Sequence, residues 1–250
     1  MARFFYLICS TFALANLRSM ELNKYIDHTI LKPVTTLEDI KTLCMEAVEY
    51  DFAAVCVPPP FVKMAKTFTG NTAVKVATVI GFPFGYSAIE AKVAETVLGM
   101  VDGADELDMV ANLIAIRNKD WEYLEKEIAT ILSIIRSKQK VIKVIIESGI
   151  LLEEEIIRCC EIYGRRGVDF VKTSTGYAEK GASVAAVRLM RQHLPPAIQI
   201  KASGGIRTFA FAQELIAAGA TRLGCSASVA IMKESRGDTA AKGGSNSVNY

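Results

Sequence analysis

Residues 169–176 read D-F-V-K-T-S-T-G, and residues 198–205 read I-Q-I-K-A-S-G-G. Each is a short apolar run of the kind that packs as an extended strand, and each closes on hydroxyls or glycine. Each also carries a lysine in its middle, Lys172 and Lys201. An ammonium inside an apolar strand is costly to desolvate, so both lysines are candidates for chemistry. Between the two runs, residues 184–192 carry a helical pattern. The unit therefore reads strand, helix, strand, the building block of a parallel sheet.

The same alternation continues outward in both directions. Strands are expected at 25–28, 53–57, 74–80, 105–110 and 141–147 before the lysine pair, and at 221–225 after it. The lysine strands are expected at 169–174 and 198–203. Helices are expected from Thr35 or Thr36 to about 50, with Ile40, Leu43, Cys44 and Val48 on one face, then at 61–68, from Ser87 to about 100, and at 120–137. Further helices are expected at 153–163, 184–192, 208–217 and on to about 233. Thr36 can cap the first of these, and Ser87 with Glu90 reads as a capping box. Prolines 58–60 stop the second strand. Glycine at 103, 167 and 219 reads as a helix C-cap before the following strand. Eight strand-then-helix units in one domain favour an α/β closed barrel, a (β/α)8 TIM barrel, over an open doubly wound sheet. No G-x-G-x-x-G follows the first strand, which weighs against a dinucleotide fold.

The barrel is expected to occupy residues 20–234. Residues 1–19 have one early arginine, an apolar run and then small residues, the outline of a signal peptide. An upstream start, a targeting peptide and a genuine extension all fit, and the segment stays outside the fold argument. Residues 235–250 are polar and rich in glycine and serine, so a flexible tail is expected.

Composition narrows the function classes. The chain has 250 residues, 51% apolar and 22% charged, a soluble globular balance. A formal net charge of +2 gives no reason to expect nucleic acid or a membrane surface as partner. The six cysteines match no zinc spacing and mostly lie in apolar surroundings, as buried thiols of a reducing, cytoplasmic compartment would. Two histidines argue against a histidine-rich metal site, so no metal is expected.

In a barrel, chemistry belongs where strands end and loops to the helices begin. Strand alternation puts Glu106 and Asp108 on one face, and Leu107 with Met109 on the other, so both acids should point into the barrel. Phe170, Lys172 and Ser174 share a face, as do Gln199, Lys201 and Ser203. If the sixth and seventh strands are neighbours, the two lysines sit in one mouth. Like charges in a desolvated pocket disfavour protonation, so one amine becomes a neutral nucleophile for carbonyls and forms a Schiff base. Its partner stays charged, and a carboxylate such as Asp108 shuttles protons. The competing reading is a structural ion-pair network. Gly204 and Gly205 before a helix, with Gly224, Cys225 and Ser226 before the last helix, suggest a phosphate cradle after the seventh and eighth strands. Arg207 is either a direct ligand or a surface residue.

These tokens together resemble the deoxyribose-phosphate aldolase family of class I, Schiff-base-forming (β/α)8 aldolases. The resemblance runs from about Leu22 to Lys233 and rests on Y-I-D-H-T-I-L-K at 25–32, A-D-E-L-D-M-V at 104–110, K-V-I-I-E at 143–147, F-V-K-T-S-T-G at 170–176, K-A-S-G-G-I-R at 201–207 and L-G-C-S at 223–226. It implies reversible cleavage of 2-deoxy-D-ribose 5-phosphate to D-glyceraldehyde 3-phosphate and acetaldehyde, with no metal or cofactor and with the breaking bond placed at C3–C4. Lys172 would form the Schiff base, Lys201 would lower its pKa, and Asp108 would transfer protons. Thr175, Gly176, Gly204, Gly205, Gly224 and Ser226 would lie in the substrate and phosphate regions, and Asp27 near the pocket floor. The chain departs from the family pattern at Cys225-Ser226-Ala227-Ser228, where consecutive serines are common, and at Tyr177, where some members have lysine. Some members end in a tyrosine that reaches the site, and Tyr250 is the accessory candidate. A homo-oligomer, in the simplest case a dimer, is also implied. Another lysine aldolase or transaldolase-like barrel, or a non-catalytic sugar-phosphate-binding barrel, remains the alternative.

Overall fold

The structure is a computed structural model, and residues 22–238 are described. The expectations for residues 1–19, for Cys9 and for Tyr250 lie outside the described residues, as does most of the polar tail.

Eight parallel strands close on themselves in sequence order. They are β1 (Ile26–Thr29), β2 (Ala54–Val57), β3 (Lys75–Ile80), β4 (Glu106–Val110), β5 (Val141–Ile145), β6 (Phe170–Lys172), β7 (Gln199–Ser203) and β8 (Arg222–Cys225). Around them lie α1 (Leu37–Glu49), α2 (Val62–Thr69), α3 (Ile89–Val101), α4 (Leu113–Arg117), α5 (Trp121–Ser137), α6 (Glu153–Arg166), α7 (Val184–His193), α8 (Phe209–Ala217) and α9 (Ser228–Ser235). This is the (β/α)8 barrel expected from the alternation. Its core follows from strand parity. Val55, Leu107, Met109, Val144, Val171 and Ile200 face outward and pack under the apolar stripes of the helices. The opposite parity faces the barrel axis, where Asp27, Glu106, Asp108, Lys143, Lys172, Lys201 and Arg222 form a charged sector. On β2 and β3 the inward positions are instead apolar: Cys56, Ala77 and Val79 form a small cluster with Leu31 and Phe82 packed on it.

Local differences from the expected elements have identifiable causes. Helix α1 begins after Thr36, whose hydroxyl accepts from Asp39 N while the Asp39 carboxylate accepts from Thr36 N. Its buried face is Ile40, Leu43, Cys44 and Ala47, and Val48 is exposed instead of buried. The i, i+3, i+4, i+7 stripe ends on Ala47, and Val48 falls on its margin. Ser87 and Glu90 do not form the expected capping box. Helix α3 starts after Ala88, which has no side-chain cap, and Ser87 sits one position too early. Strand β5 stops at Ile145 rather than at Glu147, because Glu147 turns to φ 55° and ψ 53°, a left-handed conformation outside any ladder. Helix α4 is too short for a periodic signal and is absent from the sequence reading; Asn112 caps it by accepting from Ala115 N.

Among the described residues, one fully buried ion pair lies outside the barrel axis. Lys92 of α3 and Glu127 of α5 are both fully buried, 2.6 Å apart. Lys92 Nζ also donates to the Val110 carbonyl at the end of β4. Burial lowers the Lys92 ammonium pKa and raises that of the Glu127 carboxyl, each against the pull of the other.

Candidate active site

The site is built from inward positions of β1 and of β4 through β8, from Glu106 and Arg222 at the starts of their strands to Lys172 at the end of β6. The register sets Lys172 beside Lys201 and Asp108 beside Lys143. Lys172 Nζ donates to Asp108 Oδ2 at 2.8 Å. Lys201 Nζ donates to the same oxygen at 2.7 Å and to Asp27 Oδ2 at 2.5 Å. Lys143 Nζ lies 2.7 Å from Asp108 Oδ1, 2.5 Å from Glu106 and 3.7 Å from Asp27. Beneath them Arg222 joins Asp27 at 2.7 Å and Glu106 at 3.1 Å, with its guanidinium 5.3 Å from the Phe170 ring centroid. The inward parity expected for Glu106, Asp108, Lys172 and Lys201 is therefore observed. Lys143, Glu106 and Arg222 complete a network larger than the sequence reading assigned. Lys143 and Glu106 were legible as polar residues within strands. Arg222 was equally legible as a charged residue within its expected strand at 221–225, and the sequence reading passed over it.

Electrostatics separates the lysines. Burial is the largest influence on Lys172 and lowers its pKa; Asp108 opposes this and the Lys201 charge adds to it. The net shift is downward, towards a neutral amine. Burial also works against the Lys201 ammonium, but Asp108 and Asp27 overcome it and its pKa rises. Lys143 behaves like Lys201, raised by Asp108 and Glu106 against burial. Asp108 is pushed up by burial, yet Lys143, Lys172 and Lys201 hold its carboxyl well below the usual range. Like charges in a partly desolvated pocket were expected to leave one of the two amines neutral. In the structure burial leads, and the Lys201 charge is secondary.

At the mouth the loops after β6 and β7 come together: a Cβ at Gly204 would stand 3.0 Å from Gly181 Cα and 3.6 Å from Gly176 Cα. Gly204 and Gly205 follow β7 with φ of 88° and 77°. These left-handed values suit glycine, and they turn the chain from the strand towards α8. The Gly204 carbonyl accepts from Ala182 N, and a Cβ at Gly181 would stand 2.3 Å from that oxygen. Gly181 is thus a second close approach in the mouth that no motif marked. A Cβ on Gly224 would stand 3.1 Å from Lys201 Cε and 2.9 Å from Ser203 Cβ, so the glycine makes room for the lysine stem. Ser226 and Arg207 are exposed at the rim, as is Gly176. Thr175 is buried; its amide and hydroxyl both donate to Glu147, and its hydroxyl accepts from Tyr177 N. The left-handed turn at Glu147 brings its carboxylate under this loop. Ser174 shares the inward face of Lys172, and its Oγ is buried with no hydrogen-bond partner among the described residues. Behind the eighth loop, His28 bridges Ser228 Oγ at 2.9 Å and Glu46 at 2.8 Å, while Ser228 Oγ donates to the Cys225 carbonyl.

This geometry can hold a neutral amine, a permanent carboxylate and two ammonium groups within hydrogen-bonding reach of one another. Such a set suits carbonyl chemistry. The family model described as DeoC/LacD family aldolase matches residues 22–233. A deoxyribose-phosphate aldolase of Thermococcus kodakarensis is 50% identical over 215 residues, covering 85% of this chain and 96% of that protein. One from Streptococcus gordonii is 48% identical over 221 residues, covering 88% and 98%. Among solved structures, a tetrameric deoxyribose phosphate aldolase from Aeropyrum pernix superposes with a TM-score of 0.78 at 32% identity, covering 86% of this chain and 91% of the other.

Proposed function

Because the chain belongs to the DeoC/LacD aldolase family, we propose that it cleaves 2-deoxy-D-ribose 5-phosphate reversibly to D-glyceraldehyde 3-phosphate and acetaldehyde through a Schiff base on Lys172. The observation that carries the residue assignment is the contrast between the two neighbouring lysines. Lys172 meets one carboxylate and is pushed towards the neutral amine, whereas Lys201 meets two and stays an ammonium.

The neutral Lys172 amine adds to the C1 aldehyde of the open-chain sugar, and loss of water leaves a protonated imine. Carbon counting corrects the bond expected from the sequence. Acetaldehyde has two carbons, so the bond that breaks is C2–C3 and not C3–C4. Removal of the C3 hydroxyl proton sends the C2–C3 electron pair into the iminium, which releases glyceraldehyde 3-phosphate and leaves an enamine on Lys172. Protonation at C2 restores an iminium, and water then releases acetaldehyde and the free amine. Asp108 Oδ2 accepts from both Lys172 and Lys201, so the carboxylate can relay a proton given up by the Lys201 ammonium towards the Lys172 nitrogen or the substrate, leaving Lys201 neutral until it takes a proton back. Asp27 holds Lys201 and Arg222 and acts as an anchor of the charged floor.

The phosphate is assigned to the backbone of Gly204, Gly205 and Gly224 with Ser226 and Arg207 at the rim. Ser174 Oγ is assigned to a substrate oxygen on the Lys172 side. Thr175 fixes the loop through Glu147 rather than offering a spare proton. Self-association is part of the same proposal, supported by the tetramer reported for the Aeropyrum pernix protein and by exposed Val97, Leu98 and Val101 on α3. Sedimentation that shows only monomer would contradict it. The activity is tested by incubation with 2-deoxyribose 5-phosphate and coupled detection of glyceraldehyde 3-phosphate. One equivalent of acetaldehyde per glyceraldehyde 3-phosphate is expected. Cleavage of other sugar phosphates without cleavage of this one would overturn the substrate assignment.

A further inference from the structure

Lys172 is only 2% exposed, although a nucleophile must meet its substrate. One side chain from the loop after β6 joins loops of the opposite sector of the mouth. After Gly176, Tyr177 extends so that its Oη donates to the Leu31 carbonyl at 2.8 Å. Its ring also stands edge-on to Phe82, with centroids 5.3 Å apart and planes at 88°. Leu31 follows β1 and Phe82 follows β3, whereas Tyr177 follows β6. In a closed ring of eight strands, β6 is three places from β1 in one direction and three from β3 in the other. The loops after β6, β1 and β3 therefore meet over the mouth, and Tyr177 is the contact that joins them.

What lies beneath this strap is the apolar sector of the interior. Leu31 and Phe82 pack on Cys56, Ala77 and Val79, the inward residues of β2 and β3. The charged sector, with Lys172, Lys201 and Asp108, faces it. The root of the strap is held firmly. Tyr177 N donates to Thr175 Oγ1, and Thr175 is tied through both its amide and its hydroxyl to Glu147. Its far end is held by one hydrogen bond between neutral groups and one ring contact, together weak enough to yield to a substrate. Tyr177 is itself 37% exposed, so the far end can swing out without opening the core.

We propose that Tyr177 is a specificity-determining residue, and that its strap to Leu31 and Phe82 limits the size of the aldehyde that reaches Lys172. The proposal rests on the Schiff-base reading of Lys172. A two-carbon aldehyde passes beneath the strap into the apolar sector. A branched aldehyde must break the Leu31 contact or displace the ring. The far end of the strap meets Leu31 and Phe82, which pack on the apolar sector, so the restriction is assigned to the aldehyde end of the reaction.

The test uses the full chain as wild type, Tyr177→Phe and Tyr177→Ala. Each is incubated with sodium cyanoborohydride and either acetaldehyde or 2-methylpropanal, and modification of the Lys172 peptide is followed by mass spectrometry. The readout is the ratio of the two trapping rates, which a general loss of structure would not move in one direction. Tyr177→Phe keeps the ring on Phe82 and loses only the Leu31 hydrogen bond, so the ratio should rise about fivefold towards the branched aldehyde. Tyr177→Ala removes the strap, and the rise should reach at least about tenfold. An unchanged ratio in both variants would overturn the strap. Absence of any acetaldehyde adduct on Lys172 in the wild type would instead sink the Schiff-base reading, and the strap proposal with it.

Discussion

Among the described residues lysine is buried against carboxylate in two places, and the two differ instructively. Between α3 and α5, Lys92 meets one carboxylate, Glu127, and a carbonyl. Both partners shift towards their uncharged forms, because burial outweighs their mutual attraction even with Glu95 adding a weaker pull on Lys92. Inside the barrel, Lys201 and Lys143 each meet more than one carboxylate, and both ammonium groups are favoured. Lys172 is the exception within the barrel. It shares one oxygen of Asp108 with Lys201 and shifts downward, like Lys92. The number of carboxylates per buried lysine, rather than burial alone, decides which amine is poised to be neutral. Position then decides which one is useful. Lys92 is sealed between helices, and Lys172 faces the mouth.

The largest test of this contrast is to delete each singly paired lysine. Lys172→Met should lower kcat by at least about 10⁴-fold in the coupled assay, the scale on which removal of a nucleophile acts. Residual turnover within tenfold of the wild type would break the assignment. Lys92→Met should spare the chemistry and leave Glu127 buried without its partner. The expected cost is about 3–5 kcal/mol in urea unfolding, with most of it recovered in Lys92→Met/Glu127→Leu. A silent single variant, or no recovery in the double, would mean that the pair is not the isolated unit described.

A finer test concerns pH. Attack needs the free amine, so kcat/KM should rise with pH as Lys172 loses its proton, at a pH below the ordinary lysine value of about 10.4. Lys201→Leu removes a positive charge and frees Asp108 from a competing partner. Both changes favour the Lys172 ammonium, so this limb should move to higher pH. A limb that stays in place would show that Lys201 does not act on Lys172. The smallest effect is expected at the cradle. A Cβ at Gly205 meets nothing within 4 Å, so Gly205→Ala is strained only by its φ of 77°. KM should rise about fivefold to tenfold with kcat little changed, matching a backbone strain of about 1–2 kcal/mol. A fall in kcat instead would move Gly205 from phosphate binding into the chemistry.

Much of this was legible in the sequence for a definite reason. Parallel strands buried on both faces leave few polar residues, so Lys172, Lys201, Glu106 and Asp108 stood out against their apolar neighbours, and period-two parity aimed them inward correctly. Glycine in a loop also signals, which is how Gly204, Gly205 and Gly224 were found. What could not be read were relations between distant strands. Nothing local to Arg222 says that it lies under Asp27 and Glu106, and nothing local to Tyr177 says that it reaches Leu31. The turn at Glu147 was hidden for a different reason. I-I-E continues the apolar run, and only the left-handed backbone reveals that the strand has ended. Spacing also left the two lysines equivalent; the count of carboxylate partners separates them.

That separation is tested most directly by reductive trapping of the wild-type protein with acetaldehyde and borohydride, followed by peptide mapping. The account predicts a two-carbon adduct on the peptide that carries Lys172, with Lys201 and Lys143 unmodified. An adduct on Lys201 alone, or none while the enzyme turns over, would contradict it.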